Sequence, residues 1–255
     1  MVKIVGRSIE ARADEVLIDT GRCVFAHTKK IDPLRTATQI DPSQYVLVQE
    51  GEDASYALSA QQQLGGLKFL QINIEALEMG LQLATVKDIT AHHRNVNLAL
   101  QGKGVLYDAS GNLIEGYRLR DCGNAINNAW VYLNNAYEKG SGFLGLDVVS
   151  IIGLDAEGKP ITKRQPLERC VFDCWVDIQG STNSQGYYTN KSPFQRFEKG
   201  RTVYARKPIA NSVVRFDTTS LGANLYCFTG SSDPILQLGG FLRAEGTAQN
   251  LGAGK

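Results

Sequence analysis

The sequence lacks the long apolar run that a membrane-spanning helix requires. None of its 255 residues lies in an uninterrupted apolar stretch approaching about 18 residues. The opening residues MVKIVGRSIEARADEV alternate in polarity and carry charge, whereas a signal peptide joins a basic start to an apolar core. We therefore expect a protein without a signal peptide that is made in the cytoplasm and makes no membrane contact.

An excess of charge of either sign is also lacking. The chain has 27 basic and 26 acidic residues, which leaves it nearly neutral. A protein that coats nucleic acid or a membrane surface is usually more basic, so any such role must be confined to one region. With 43% hydrophobic and 21% charged residues, the composition is that of an ordinary globular protein.

Few residues are placed as catalysis or metal binding would require. The three histidines are His27, His92 and His93, and no cysteine or acidic residue lies at a zinc-like interval from them. No G-x-S-x-G sequence is present to hold a nucleophilic serine. The stretch HHRN is typical of a polar surface turn, and a hydrolase built on His92 or His93 remains an alternative. We therefore expect no catalytic residue, no metal, no cofactor and no enzymatic activity.

The stretch RCVFDCWVDIQG contains two cysteines four residues apart, Cys170 and Cys174. Their β-branched and aromatic neighbours favour a strand. On a strand the two thiols would lie about 13 Å apart, too far for one disulfide or one tetrahedral metal. They would share a face with Phe172, while Asp173 and Trp175 would lie on the other face. We therefore predict that the thiols belong to the inward face of a central strand.

One glycine-rich stretch, Gly140-Ser-Gly142-Phe-Leu-Gly145, fits the dinucleotide pattern G-x-G-x-x-G. That pattern binds a pyrophosphate when a strand precedes the glycines and a helix follows them. Here the predicted order is reversed, with a helix before and a strand after. We therefore interpret Gly140 as a helix C-cap and predict no cofactor at this stretch.

The clearest helical pattern covers residues 121–139. Apolar residues recur there at spacings of three and four, as on the buried stripe of an amphipathic helix. Most of the remaining chain is typical of strands separated by turn residues. The predicted fold class is therefore α+β, mainly antiparallel β, with one prominent amphipathic helix at about 121–139. The buried stripe consists of Cys122, Ala125, Ile126, Ala129, Trp130, Leu133, Ala136 and Tyr137.

Two segments of the first hundred residues bear on the domain organisation. Asp53 stands where a helix N-cap belongs, before ASYALSAQQQL. The segment LKFLQINIEAL fits either a strand or a buried helix, and periodicity does not decide between them. We predict a single domain over residues 1–255 with a flexible C-terminal tail at about 247–255. A subdivision into residues 1–100 and 101–246 is the alternative.

Two stretches share the sequence Asp-Ala-x-Gly between apolar runs: VLYDASGNLIEGY (105–117) and IGLDAEGKPITKR (152–164). Asp108 and Asp155 would bond their own downstream amides, and Gly111 and Gly158 would supply the positive φ of a hairpin loop. Both stretches are therefore predicted to be hairpins. Other strands are predicted in YVLVQE, LDVVSIIGL, ITKRQ, RCVFDCWVDIQ, TVYARKPIA, NSVVRFDTT, ANLYCFTG and ILQLGGFLRAEG.

These two hairpins and the strand-rich second half resemble a tailed-phage virion structural protein of the head-to-tail or tail-tube type. The resemblance covers roughly the last 150 residues and includes no diagnostic motif, so no functional residue is carried over. It implies a non-enzymatic, architectural subunit that self-assembles into a larger oligomer. Its partners would be copies of itself and other structural subunits, and its final location would be the virion.

The strongest local bias lies in residues 187–216, where cations alternate with aromatic rings against a single acid, Glu198. Cations follow phosphates and rings stack on unpaired bases, so this composition also fits a single-strand nucleic-acid groove. Two amphipathic strands with inward rings, or a basic face that meets an acidic subunit, are the alternatives. The candidate nucleic-acid-binding residues are Tyr187, Tyr188, Lys191, Arg196, Lys199, Arg201, Tyr204, Arg206, Lys207 and Arg215, among the rings Phe194, Phe197 and Phe216.

Overall fold

The computed structural model describes residues 41–50, 53–219, 222–228 and 238–245. The helices of this part are α1 (Phe69–Glu78), α2 (Val86–Leu100) and α3 (Gly116–Asn127). The strands are β1 (Tyr45–Glu50), β2 (Asp53–Ser59), β3 (Gln82–Leu83), β4 (Leu106–Tyr107), β5 (Leu113–Ile114), β6 (Trp130–Lys139), β7 (Leu146–Leu154), β8 (Pro160–Pro166), β9 (Cys174–Asp177), β10 (Thr202–Ala205), β11 (Ser212–Thr219), β12 (Gly222–Phe228) and β13 (Leu242–Glu245).

A seven-stranded sheet in the order β8-β7-β6-β11-β12-β10-β9 dominates the described residues. Its neighbours pair antiparallel, apart from β10 and β12, which pair in parallel. A four-stranded sheet has the order β1-β2-β13-β3, and β4 pairs with β5 alone. The predicted class, α+β with mainly antiparallel strands, is confirmed. No helix among the described residues is long and apolar enough to cross a membrane.

Strand β6 lies inside the seven-stranded sheet, between β7 and β11, and is covered on both sides. Val131, Leu133 and Tyr137 belong to the apolar cluster formed with α2 and α3. Tyr132 belongs to the cluster formed with α1, and its ring meets Phe69 edge-on at 5.9 Å. All eight residues from 131 to 138 are therefore buried.

The predicted helix at about 121–139 is wrong in its second half. Helix α3 ends at Asn127, and the chain extends into β6 from Trp130. The error has a physical origin, because a strand buried on both faces carries no alternation of polar and apolar residues. Its apolar side chains instead continued the helical spacing of α3 by coincidence.

Asn134 extends the pairing of β6 with β7 beyond their main-chain ladder. The main-chain register joins residues 136–139 to residues 146–149. Two residues earlier, the Asn134 side chain accepts a bond from Ile151 N at 2.8 Å and donates one to Ile151 O at 2.7 Å. Asn134 N meanwhile donates to Ala84 O at 2.8 Å. The amide therefore connects β6 to β7 while the backbone connects β6 to the segment after β3.

Replacing Asn134 by Leu is expected to destabilise the protein by about 3 kcal/mol, since Leu matches its size but leaves the buried N–H and C=O of Ile151 without their bonds. Urea unfolding checks this value. Asn124→Leu, on the exposed side of α3, is the matched control and should change stability by less than about 0.5 kcal/mol. Equal losses for the two variants would contradict the role given to Asn134.

In the first hundred residues, the structure decides one assignment that the sequence left open and contradicts two predictions. LKFLQINIEAL forms a helix, α1. Asp53 begins strand β2 rather than capping a helix, because Tyr56 and Leu58 on one face and Ala57 on the other are all buried. The HHRN stretch is no surface turn: His92 and His93 lie in the middle of α2 with 1% and 2% exposure.

Both predicted hairpins are present, with the predicted turn chemistry. Asp108 Oδ1 accepts bonds from Ser110 N at 3.0 Å and Asn112 N at 2.9 Å, and Gly111 has φ +82°. Asp155 Oδ1 likewise accepts from Glu157 N at 2.9 Å and Lys159 N at 2.8 Å. The two side chains hold the loops that join β4 to β5 and β7 to β8.

Gly140 is not a helix C-cap, because the stretch from Gly140 to Gly145 joins two strands, β6 and β7. A Cβ on Gly140 would lie 1.9 Å from Asp147 Cγ, and one on Gly142 would lie 2.1 Å from Leu167 N. Asp147 Oδ1 accepts bonds from Ser141 N at 2.9 Å and Gly142 N at 3.3 Å. These glycines therefore allow close packing around a carboxylate.

In the second half of the chain, some predicted strands have the predicted length and others are shorter. Strand β7 coincides with LDVVSIIGL, whereas the RCVFDCWVDIQ and TVYARKPIA stretches contain only the four-residue strands β9 and β10. The tail at about 247–255 and part of ILQLGGFLRAEG lie outside the described residues. The single domain over residues 1–255 and its alternative division at residue 100 stay predictions.

Candidate functional site

The outer face of β9 and β10 presents aromatic rings at one edge of the seven-stranded sheet. Trp175 and Tyr204 are directly paired across the two antiparallel strands, and their rings meet edge-on at 5.2 Å. Phe197 packs against Trp175 at 6.1 Å. The alternate residues Cys174, Val176, Val203 and Ala205 are buried beneath them, so the rings remain half-buried on the outside.

Cationic groups lie over rings along the same strands. The Arg201 guanidinium stands 3.8 Å from the centre of the Phe194 ring, and the Arg206 guanidinium stands 5.0 Å from that of Tyr204. Beyond the end of β10, Lys207 Nζ lies 5.7 Å from the Phe172 ring. Six of the seven predicted cations are exposed around these rings: Lys191, Arg196, Lys199, Arg201, Arg206 and Lys207. Together with Phe172, Trp175, Phe194, Phe197 and Tyr204 they form what we call the cationic surface.

Three carboxylates share the cationic surface and reduce its charge. Glu198 lies 3.5 Å from both Arg196 and Arg201, and Asp177 lies 3.8 Å from Arg201. Asp173 accepts a bond from the Lys207 main-chain N at 3.2 Å. Among the described residues, the six cations therefore exceed these three carboxylates by three, on a chain whose net charge is +1.

Three of the predicted nucleic-acid-binding residues do not reach this surface. Tyr187 and Tyr188 are 6% and 3% exposed, and burial raises the pKa of the Tyr188 hydroxyl. Arg215 is 8% exposed and lies on β11, where its guanidinium meets Asp217 at 3.3 Å and stands 5.4 Å from the Trp130 ring. All three side chains pack in the protein interior. The alternative of amphipathic strands expected inward rings and outward charges, so it fits the two tyrosine rings but not Arg215.

Two rings of the cationic surface, Phe172 and Trp175, were not among the predicted binding residues. They belong to RCVFDCWVDIQG, the stretch for which a prediction was made only about its cysteines and the faces of its strand. The alternation from Cys174 to Trp175 correctly placed Trp175 on the outer face of a strand. Its proximity to Tyr204 follows from the pairing of β9 with β10, which no local pattern in the sequence reveals.

The two cysteines of that stretch are buried, but they do not share one strand, and β9 is an edge strand rather than the predicted central one. Asp173 has φ +50°, so the chain bends there and β9 begins only at Cys174, leaving Cys170 and Phe172 before the strand. Burial raises the pKa of the Cys170 thiol to about 11, and also raises that of Cys174. Thiols that burial keeps protonated in this way are weak nucleophiles at neutral pH.

His92 and His93 are packed between the two larger sheets. The His92 ring lies 5.7 Å from Phe241, next to β13, and the His93 ring lies 5.3 Å from Phe216 on β11. Burial lowers the pKa of each histidine to about 4, and a bond with Asn127 opposes that effect at His93. Both rings are therefore neutral at pH 7 and out of reach of a substrate, which removes the support for a hydrolase built on them.

A cavity of about 20 Å³ between Tyr137, Cys170, Tyr187 and Val214 has room for one water molecule. Within the described ranges, no three His, Cys, Asp or Glu side chains converge as metal ligands.

A second surface is apolar and lies on the hairpin of β4 and β5. Leu106 and Ile114 face the core, while their neighbours Tyr107 and Leu113 form the next directly opposed pair on the outer face. These two side chains are 38% and 45% exposed, and the flanking Val105 and Tyr117 are 64% and 69% exposed. We call Val105, Tyr107, Leu113 and Tyr117 the hairpin face.

Comparison with protein-family models, with curated proteins and with solved structures finds no match for this chain. The two surfaces and the buried polar groups are therefore the observations on which a function is argued.

Proposed function

We propose that this chain is a non-enzymatic structural subunit that assembles with copies of itself through the hairpin face. The observation that carries the proposal is the exposure of four large apolar side chains on and beside a two-stranded hairpin: Tyr107 and Leu113 on its strands, Val105 just before β4, and Tyr117 at the start of α3. A contiguous apolar patch of this kind is typical of an interaction surface. A hairpin alone is marginally stable in water, so covering its outer face also stabilises the hairpin itself.

The charges around the hairpin face favour a second copy as the occupant. Close to the hairpin face along the chain, the basic residues Lys103 and Arg120 and the acidic residues Glu115 and Asp121 are all exposed; we call these four the rim. A symmetric interface between identical subunits brings the same patch together twice, so it needs both signs of charge within that patch. A partner with a strong charge of one sign would instead be repelled by the two rim residues of the same sign.

The proposed assembly of identical subunits is also what the resemblance to tailed-phage virion structural proteins implies. A subunit of that kind repeats a β-rich fold through contacts between copies and with other structural subunits, and it needs no enclosed substrate pocket. Assembly into a virion after synthesis in the cytoplasm stays a prediction, as does the position of the chain in such an assembly.

Leu113→Asp is expected to dissociate the assembly, because it places a charge in the middle of the apolar face. Ile152→Asp is the matched control, since Ile152 is 46% exposed and Leu113 is 45% exposed. Size-exclusion chromatography with light scattering measures the mass, and electron microscopy shows the form. The wild type and Ile152→Asp should run as oligomers, and Leu113→Asp should run near the 27.9 kDa of one chain. A wild type that stays monomeric at about 100 μM, or an assembly unchanged by Leu113→Asp, would contradict the proposal.

A further inference from the structure

We infer that the cationic surface binds single-stranded nucleic acid, independently of the proposed self-assembly. The inference rests on the arrangement of cations and rings along β9 and β10 rather than on composition. From Arg201 to Lys207 the chain runs beside Asp177, Trp175 and Phe172. Seven residues of extended chain span about 20 Å, which gives a track long enough for several nucleotides.

The rings supply the sequence-independent part of the binding. Trp175 and Tyr204 are half-buried, so their inner edges are fixed while part of each ring faces outward. Arg201 is stacked over Phe194, and 46% of its side chain is exposed. A guanidinium held flat on a ring presents its other side to the next planar group, and unpaired bases stack on such guanidinium and aromatic planes.

The cations supply the part of the binding that depends on salt. Asp177 and Glu198 engage Arg196 and Arg201. The other exposed cations of the cationic surface are Lys191, Lys199, Arg206 and Lys207. A phosphate backbone that follows β10 would pass Arg206 and Lys207 in succession, with Trp175 and Tyr204 beside them for its bases.

A single strand fits these observations better than an acidic protein surface does. An acidic partner would use the cations but would leave the outward rings without a planar group to stack on. A duplex keeps its bases stacked inside the helix and would also use only the cations. The combination of outward rings and cations on one extended track therefore favours unpaired bases.

The first test is binding of a fluorescein-labelled dT20 oligonucleotide, measured by fluorescence anisotropy between 50 and 200 mM NaCl. Replacing Arg206 and Lys207 together by Glu should weaken binding at least tenfold and lower the salt slope by at least about 1.4, at about 0.7 for each lost phosphate contact. The matched control replaces Lys159 and Lys163 by Glu. Both are exposed at the opposite edge of the sheet, so the net charge changes equally and the affinity should stay within about twofold.

The second test uses the two tryptophans of the chain. In a Trp130→Phe background, Trp175 is the single tryptophan, and dT20 should quench its fluorescence as bases stack on it. Absence of binding at 50 mM NaCl, or equal losses in the two double variants, would overturn the inference. Polyglutamate that displaces dT20 at equal charge concentration, with no quenching of Trp175 by dT20, would overturn it in favour of an acidic protein partner.

Discussion

At pH 5 the folded protein is expected to be about 3 kcal/mol less stable than at pH 7, chiefly because of His92 and His93. Burial lowers the pKa of both histidines from 6.5 to about 4. Between these values the unfolded chain binds protons that the folded chain does not, so stability falls as the pH falls through this window. At pH 5 the loss is about 2 kcal/mol for each histidine.

The surroundings of the two rings explain why protonation is unfavourable. Phe241 and Phe216 face them from the two sheets, and Asn127 is the polar neighbour of His93. Asp88 lies one turn before His92 on α2, but its two carboxylate oxygens already accept bonds from Arg243 and Thr85. Among the described residues, no atom hydrogen-bonds either nitrogen of His92. A proton would therefore place a charge between two sheets with little to offset it.

Asp217 acts in the opposite direction and reduces the net effect. Burial raises the pKa of its carboxyl to about 6, and the nearby Arg215 guanidinium opposes that rise. The folded state therefore binds a proton more readily than the unfolded state between pH 6 and the ordinary value of 3.8. Its contribution grows as the pH falls and offsets about 1 kcal/mol of the histidine loss at pH 5.

Urea unfolding at pH 7, 6 and 5 tests this account. Replacing both histidines by Phe should remove most of the loss between pH 7 and pH 5, whatever its effect on stability at pH 7. Asp217→Asn should instead steepen the loss by about 1 kcal/mol, because it removes the offset. A histidine-free variant as sensitive to acid as the wild type would show that other groups cause the loss.

The parts of the fold that could be predicted are those in which neighbouring residues determine the backbone. The loops at Asp108 and Asp155 were predicted because a carboxylate bonds amides two and four residues later, where Gly111 and Gly158 allow a positive φ. Strand β7 was predicted with its observed ends because its β-branched run is bounded by turn residues. Each of these signals lies within a dozen residues.

The parts of the fold that were not predicted depend on contacts with segments that are distant in the sequence. Asn134 was predicted to lie on a helix, but it bonds Ile151 between two paired strands, β6 and β7. His92 and His93 looked like surface residues, but Phe241 and Phe216 enclose them. A polar residue becomes a core residue when its partner arrives from elsewhere in the chain, and periodicity contains no information on that partner.

The candidate site also combines features that local sequence predicts with features that depend on distant contacts. The exposed cations follow from composition, since Lys and Arg seldom lie in the interior. Trp175 and Tyr204 are separated by 28 residues and meet only because β9 pairs with β10. Tyr187 and Arg215 were included because of their place in a biased segment, and the fold turns both inward.

The largest effect of a single substitution is expected for Asp88→Ala, because this carboxylate attaches α2 to two parts of the fold. Asp88 Oδ1 accepts a bond from Arg243 Nη1 on β13 at 2.7 Å. Its Oδ2 accepts bonds from Thr85 N at 2.8 Å and Thr85 Oγ1 at 2.7 Å, which completes the capping box at the start of the helix. Asp88 itself is fully buried.

Removing this carboxylate takes away the ion-pair partner that lies 2.7 Å from Arg243, a residue whose side chain is only 22% exposed. Breaking a buried ion pair on one side costs about 3–5 kcal/mol, and loss of the cap adds about 1 kcal/mol. We therefore expect Asp88→Ala to lower the free energy of unfolding by about 4–6 kcal/mol. Thr85→Ala, which removes one capping hydroxyl and leaves the ion pair, should cost about 1 kcal/mol.

A double-mutant cycle with Arg243→Ala separates the ion pair from the cap. Arg243→Ala should cost at least about 2 kcal/mol less in the Asp88→Ala protein than in the wild type, because its partner is already absent. The Arg243 guanidinium also lies 4.0 Å from the Tyr56 ring, so part of its effect should persist in both backgrounds. Additive costs, or a loss for Asp88→Ala no larger than that for Thr85→Ala, would show that the carboxylate serves the helix start alone. The histidines one turn further on would then owe their burial to the apolar packing of α2 rather than to its attachment to β13.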